Sequence, residues 1–248
     1  LTLAATQIRQ MITNVVSLDD AMTDLRKVTE ETDATYERFL TNAAVRAKNL
    51  GATMSDVVVA TSTFARMGYT LEQSEQLGDA ALIAQNVWDN VGSVDETANA
   101  IISTMKAFGI AAEDAISIVN KLNAVSNSYA VVSGDIANAM ADTGAALQAA
   151  GNSFDESIAL FSSTNEIIQD WSKTSTALRT IAARIRNTSG ELEEMEIDAD
   201  GAAESVTQLQ QKIYAKSGVN IFESDNQTFK STIQILRELS EVWDTLSD

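Results

Sequence analysis

The chain has 248 residues, 45% of them apolar and 21% charged, which is enough to bury a core and excludes compositional disorder. Thirty-five acidic residues against 17 basic ones give a formal charge of −18, which repels phosphate backbones and anionic membrane surfaces, so nucleic-acid binding is not expected. Cysteine and histidine are both absent, which removes disulfides, thiolate metal sites, most zinc sites and most hydrolytic triads; an enzyme here would have to work with carboxylates, lysine or tyrosine.

Proline is absent too, so the commonest helix breaker is missing while strong helix formers fill long stretches. The expected fold is all-α. No run of 18 apolar residues predicts a membrane span, and the start lacks the order of a signal peptide. The chain begins at Leu1 and ends within a helical pattern, and it reads as a fragment of a longer protein.

Residues 1–50 carry amphipathic helices. Ile8, Met11, Ile12 and Val15 mark a first one, Met22, Leu25 and Val28 a second after "SLDD", and a third is expected from about Thr35 to Leu50.

Residues 51–174 are punctuated by glycine. Gly51, Gly92 and Gly134 each precede another glycine by 17 residues, at Gly68, Gly109 and Gly151, and the pattern recurs after 41 and then 42 residues. Aligned apolar positions accompany it: Val57, Ala98 and Met140; Phe64, Met105 and Leu147; then, past the second glycine, Leu71, Ala112 and Phe154; Leu77, Ile118 and Leu160. Thr70 with Gln73, Ser93 with Glu96 and Ser153 with Glu156 have capping-box spacing, whereas Ala111 leaves the middle copy uncapped. The expectation is three stacked α-hairpins of about 41 residues.

Residues 175–217 hold a basic helix with Leu178, Ile181, Ala182 and Ile185 on one side, an acidic loop "ELEEMEIDADG" and a following helix. Residues 218–248 place Val219, Ile221, Phe222 and Phe229 around a polar turn, a pattern for one short β-hairpin. A terminal helix follows, with Ile233, Leu236, Leu239, Trp243 and Leu246 at helical spacing.

Few constellations carry chemistry, and neither a cofactor nor a catalytic residue is expected. Glu196, Asp198, Asp200 and Glu204 follow the alternation of a calcium loop, with Gly201 at its bend. Position one is Glu where Asp is usual, and Thr207 stands where a bidentate Glu should close the site, so a solvated acidic loop fits better. Ser103 and Lys106 share the Ser-x-x-Lys spacing of some acylases without the companion motifs. Arg179, Arg184 and Arg186 form a basic cluster that reads as a solvated face paired with the acidic stretch after it. Trp88, Trp171 and Trp243 read as core or interface anchors.

The order and content of these segments resemble phage tail tape measure proteins, especially those of Gram-positive siphophages and prophages. The likeness runs from "DLRKVTEET" through "ARMGYTLEQ" and "MKAFGIAAEDA" to "QDWSKTSTALRTIAARIRNTSGELEE" and "FKSTIQILRELSEVWDTLSD". The family usually has proline near position 171, where this chain has Trp171, a departure that touches only a local turn. The resemblance implies a structural, non-enzymatic protein that sets tail length inside the tail tube lumen, after assembly in the host cytoplasm. It implies as partners other copies of itself, tail tube and tail tip proteins and tail assembly chaperones. Gly51, Gly68, Gly92, Gly109, Gly134 and Gly151 break the helices into hairpins, so this stretch is expected to be a compact anchoring domain. Even as one helix at ~1.5 Å per residue it would reach only about 370 Å, so the measuring stretch is expected largely outside it. The competing reading is a cytosolic helical-repeat module that binds a partner protein.

Overall fold

A helix in a proline-free chain ends only where glycine, a capping hydroxyl or tertiary packing stops it. The computed structural model describes residues 2–186 and 206–246, and among these the regular structure is helical, with no sheet. In order the helices are α1 (Thr2–Val28), α2 (Asp33–Leu50), α3 (Met54–Arg66), α4 (Leu71–Val87), α5 (Val94–Phe108), α6 (Ala115–Ser128), α7 (Ser133–Ala149), α8 (Phe154–Ile168), α9 (Trp171–Arg186), α10 (Val206–Ser217) and α11 (Thr232–Val242). Single 3-10 turns precede α6, at Ala112–Asp114, and follow α11, at Trp243–Thr245.

The helix starts follow side-chain chemistry. Capping boxes close at Thr70 with Gln73, Ser93 with Glu96 and Ser153 with Glu156, and also at Thr53 with Asp56 and Ser231 with Gln234. Ala111 offers no cap, and the chain enters α6 through a 3-10 turn instead. Gly51 and Gly109 end α2 and α5 at φ 66° and 65°, a left-handed geometry that costs other residues roughly 1–2 kcal/mol.

The N-terminal helices differ from expectation: the two read before residue 28 are one continuous α1. "SLDD" supplies residues suited to a cap but no glycine, and the apolar positions keep their phase across it. The Ser17 hydroxyl donates backward to the Asn14 carbonyl at 3.0 Å and caps nothing. α2 starts at Asp33, with Thr32 accepting from the Thr35 amide.

The chain divides into two compact units. The first comprises Leu1–Met105, Gly109–Ser128 and Val132–Ala137. Its centre is α3, which packs on α1, α2 and α4 and is buried almost continuously from Val57 to Ala65. Met22, Leu25, Tyr36, Phe39, Val58 and Leu71 form one core cluster, and Ala43, Ala47, Val57, Ala60 and Leu82 a second. Trp88 is buried and donates its indole N–H to the Val119 carbonyl at 3.1 Å. Beside it the loop after α4 is stitched to the start of α7: Gly134 N donates to Asp89 O at 3.0 Å and Asp89 N to Ser133 Oγ at 2.9 Å. Gly134 is required by close approach, since a Cβ there would lie 2.4 Å from Asn90 O.

The second unit comprises Lys106–Phe108, Tyr129–Val131 and Asn138–Asp248. The Phe108 and Phe154 rings meet at 5.3 Å, and α8 packs on α9, where Thr174 Oγ1 and Asn165 Oδ1 are 3.0 Å apart. A further core joins Ile185, Ile221 and Ile235, with Leu209, Ile213 and Phe222 against it. Pairing around the polar turn extends to a single antiparallel bridge, Phe222 with Phe229, and not to strands. Asp225 turns its carboxylate onto the Gln227 and Thr228 amides and Asn226 takes φ 56°, so the middle of the segment is spent on a turn.

All twelve aligned positions of the glycine-punctuated segments are buried. Their opening glycines are not equivalent, however: Gly51 caps α2, Gly92 sits against the Glu96 carboxylate, and Gly134 lies inside α7.

Replacing Gly134 by alanine forces the Asn90 carbonyl aside, and we expect a loss of about 1–3 kcal/mol. Chemical denaturation measures it; an unchanged midpoint would contradict the close approach.

Candidate functional site

The end of α9 and the residues leading into α11 meet in the second unit, at the turn between α7 and α8. Arg186, at the end of α9, lies half-buried there. Its Nη2 donates to Ala150 O at 2.6 Å and to Lys230 O, and its guanidinium lies 4.4 Å from the centre of the Phe229 ring. Burial lowers its pKa to about 10, which leaves it a cation at neutral pH. A cation on the last carbonyls of α7 also opposes that helix's negative end.

Neighbouring contacts extend the junction. Thr232 N donates to Ala150 O at 3.2 Å, Ile233 N to Asn152 Oδ1 at 3.0 Å, and Ser231 Oγ to Glu156 Oε1 at 3.3 Å. Lys230 pairs with Glu238 at 2.7 Å. One arginine and the start of α11 therefore fasten residues 230–233 onto the α7–α8 turn. A basic cluster read as a solvated face thus has one member committed to the fold. Its acceptors are backbone carbonyls 36 and 44 residues away, which no residue type announces.

Other candidates are more ordinary. Lys106 is exposed on α5 and Ser103 half-buried on the same helix. Trp171 is half-buried, and Trp243 is 68% exposed, so of the three tryptophans only Trp88 is a core anchor. Glu196, Asp198, Asp200 and Glu204 lie outside the described residues. Among the described residues, no cluster of three or more acidic side chains has metal-binding geometry, and no helix is long and apolar enough to cross a membrane.

The first unit holds a charged cluster that is partly buried. Arg46 of α2 reaches Glu75 at 2.5 Å and Asp79 at 3.4 Å, both on α4. Desolvation raises both carboxyl pKa values, and the Arg46 charge pulls them back only partly. The folded chain therefore holds these protons more tightly than the unfolded chain, so ionising them costs stability as pH rises through and above the usual carboxylate range. Exposed acids act in the opposite direction. The Lys27 side chain bonded to Asp24, the Lys173 amide bonded to Asp170 and the Thr228 hydroxyl bonded to Asp225 lower those pKa values, a contribution lost on acidification.

Arg46→Met should leave two half-buried carboxylates facing each other and destabilise the fold by about 1–3 kcal/mol at neutral pH. The deficit should shrink as pH falls toward 4.5, because protonation removes the uncompensated charge. Unfolding curves at several pH values measure it, and a deficit that grows on acidification would refute the assignment. Arg186→Lys should speed amide hydrogen exchange across 219–233 while leaving α3 and α4 protected; unchanged exchange would show that Arg186 fastens nothing.

A family model described as phage-related minor tail protein matches residues 44–248. No solved structure matches the chain.

Proposed function

The chain belongs to the phage-related minor tail protein family, and we propose that it is a stretch of a tape measure protein of the Gram-positive siphophage or prophage type. The coarser role is that of a phage tail protein with a virion-associated place. In the finer reading the parent protein occupies the tail tube lumen, having assembled in the host cytoplasm, and sets tail length. Its partners are other copies of itself, tail tube and tail tip proteins and assembly chaperones. Its role is structural and not enzymatic.

Within that role this stretch anchors. What supports the reading is that its longest described helix has 27 residues, about 40 Å, and that the helices fold into compact units. A ruler needs uninterrupted length, so measurement falls to other parts of the parent protein. We further propose that the three glycine-punctuated segments are copies of one α-hairpin unit. The burial of all twelve aligned positions supports this, and the later divergence of their opening glycines reflects local contacts.

Deleting heptad-sized blocks in frame from the parent gene outside this region should shorten tails in proportion, read by electron microscopy at ~1.5 Å per residue. Tails of unchanged length would overturn the reading and favour a protein-binding module.

A further inference from the structure

Several hydroxyls on these helices bond back to the carbonyl one turn earlier. On α9 Thr176 donates to Ser172 O at 3.0 Å and Thr180 to Thr176 O at 2.8 Å, and on α8 Ser163 donates to Ala159 O at 2.9 Å. Ser175 and Ser162, beside them, do not. Ser175 is 3% exposed and Ser162 5%, and among the described residues neither hydroxyl has a partner. Arg179, one turn after Ser175, is half-buried, and its Nε is buried without an acceptor. A buried donor left unpaired costs about 1–3 kcal/mol, and more where the group is charged.

These three groups converge. α8 and α9 run antiparallel through the short turn at Gln169 and Asp170, with Asn165 Oδ1 and Thr174 Oγ1 3.0 Å apart between them. At about 100° per residue, Ser162 is rotated by about 60° from Asn165, and Ser175 and Arg179 by about 100° and about 140° from Thr174. The rotations have one sign, and between antiparallel helices equal signs fall on one side of the seam. Along the axis all three groups lie within about 8 Å of the Asn165–Thr174 pair. Two buried hydroxyls therefore stand on the inner part of one edge and a guanidinium on its rim.

Charge selects the ligand. From Trp171 to Arg186 α9 carries Lys173, Arg179, Arg184 and Arg186 and no acidic residue. Lys173 pairs with Asp170, Arg186 is held by two carbonyls, and Arg184 has a partner as well. Arg179 is the cation of this helix that has, among the described residues, neither a hydrogen bond nor an ion pair. The planar edge of a guanidinium matches two oxygens of one anion. An acidic protein would meet the repulsion of a net charge of −18 across a whole face, whereas a small anion meets it at one screened point. A carboxylate would use the guanidinium edge alone, while a tetrahedral anion keeps further oxygens for the serine hydroxyls. We propose that Arg179, with Ser175 and Ser162 behind it, binds a small tetrahedral oxyanion of the phosphate class. This site belongs to the α8–α9 hairpin and stands apart from the tape measure reading, because tail length does not enter its test.

Inorganic phosphate is the probe, titrated into the purified 248-residue chain at fixed ionic strength while the arginine Nε–H signals are followed by nuclear magnetic resonance. The Arg179 signal should move saturably, with a dissociation constant of ~1–10 mM, and the Arg184 and Arg186 signals at least ~5-fold less. Acetate should bind at least ~5-fold more weakly than phosphate. Arg179→Lys keeps the charge and loses the planar edge, and should weaken phosphate at least ~10-fold with the helical circular dichroism unchanged. If that variant unfolds, the comparison of phosphate with acetate at the Arg179 signal of the unaltered chain decides alone. A shift that follows ionic strength only, equal movement of the three arginines, or acetate binding as tightly as phosphate would overturn the proposal, as would a folded R179K chain that binds phosphate undiminished.

Discussion

Helix termination is the constraint on which the rest of this structure depends. With no proline and apolar residues at helical spacing over most of the chain, nothing intrinsic would stop one helix running into the next. Hydroxyls supply the starts, at Thr32, Thr53, Thr70, Ser93, Ser153 and Ser231, and left-handed glycines such as Gly51 and Gly109 supply stops. Each cap is worth about 1 kcal/mol, little against the burial of a core side chain, yet caps decide where the chain can fold back. Once it folds back, α3 is enclosed by α1, α2 and α4 and the first core exists.

Charge imposes the second constraint. A net charge of −18 is tolerable where, among the described residues, most carboxylates are exposed. Glu75 and Asp79, half-buried around Arg46, tie α2 to α4 while adding a cost that falls on acidification. In the second unit a single cation does comparable work, since Arg186 is held, among the described residues, by two carbonyls and an aromatic ring. Both are contacts distant in sequence, and both give the short helices fixed positions within their own unit.

Local chemistry was legible and long-range chemistry was not. Three capping boxes, the uncapped Ala111 and the burial of positions such as Val57, Met105 and Leu147 follow from spacing alone. Ser231 with Gln234 obeys the same rule, and Thr53 with Asp56 differs only in the shorter acid. The continuity of α1 was hidden because "SLDD" looks like a cap, although the phase of Val15, Leu18 and Met22 already argued against a break. The β-hairpin pattern reduced to one bridge because Asp225 and Asn226 favour a turn over pairing. Arg186 was unreadable in principle, since its acceptors are main-chain atoms brought near by packing.

The functional account joins family membership to these mechanical facts: a tail protein whose helices are repeatedly broken suits a fixed attachment better than a measuring rod. The most direct test is to locate this region in intact, genome-filled particles. A gold-labelled I167C chain should mark one end of each tail in electron micrographs, at a constant position whatever the tail's length. Labels spread along the tube, or absent from the particle, would contradict an anchoring role.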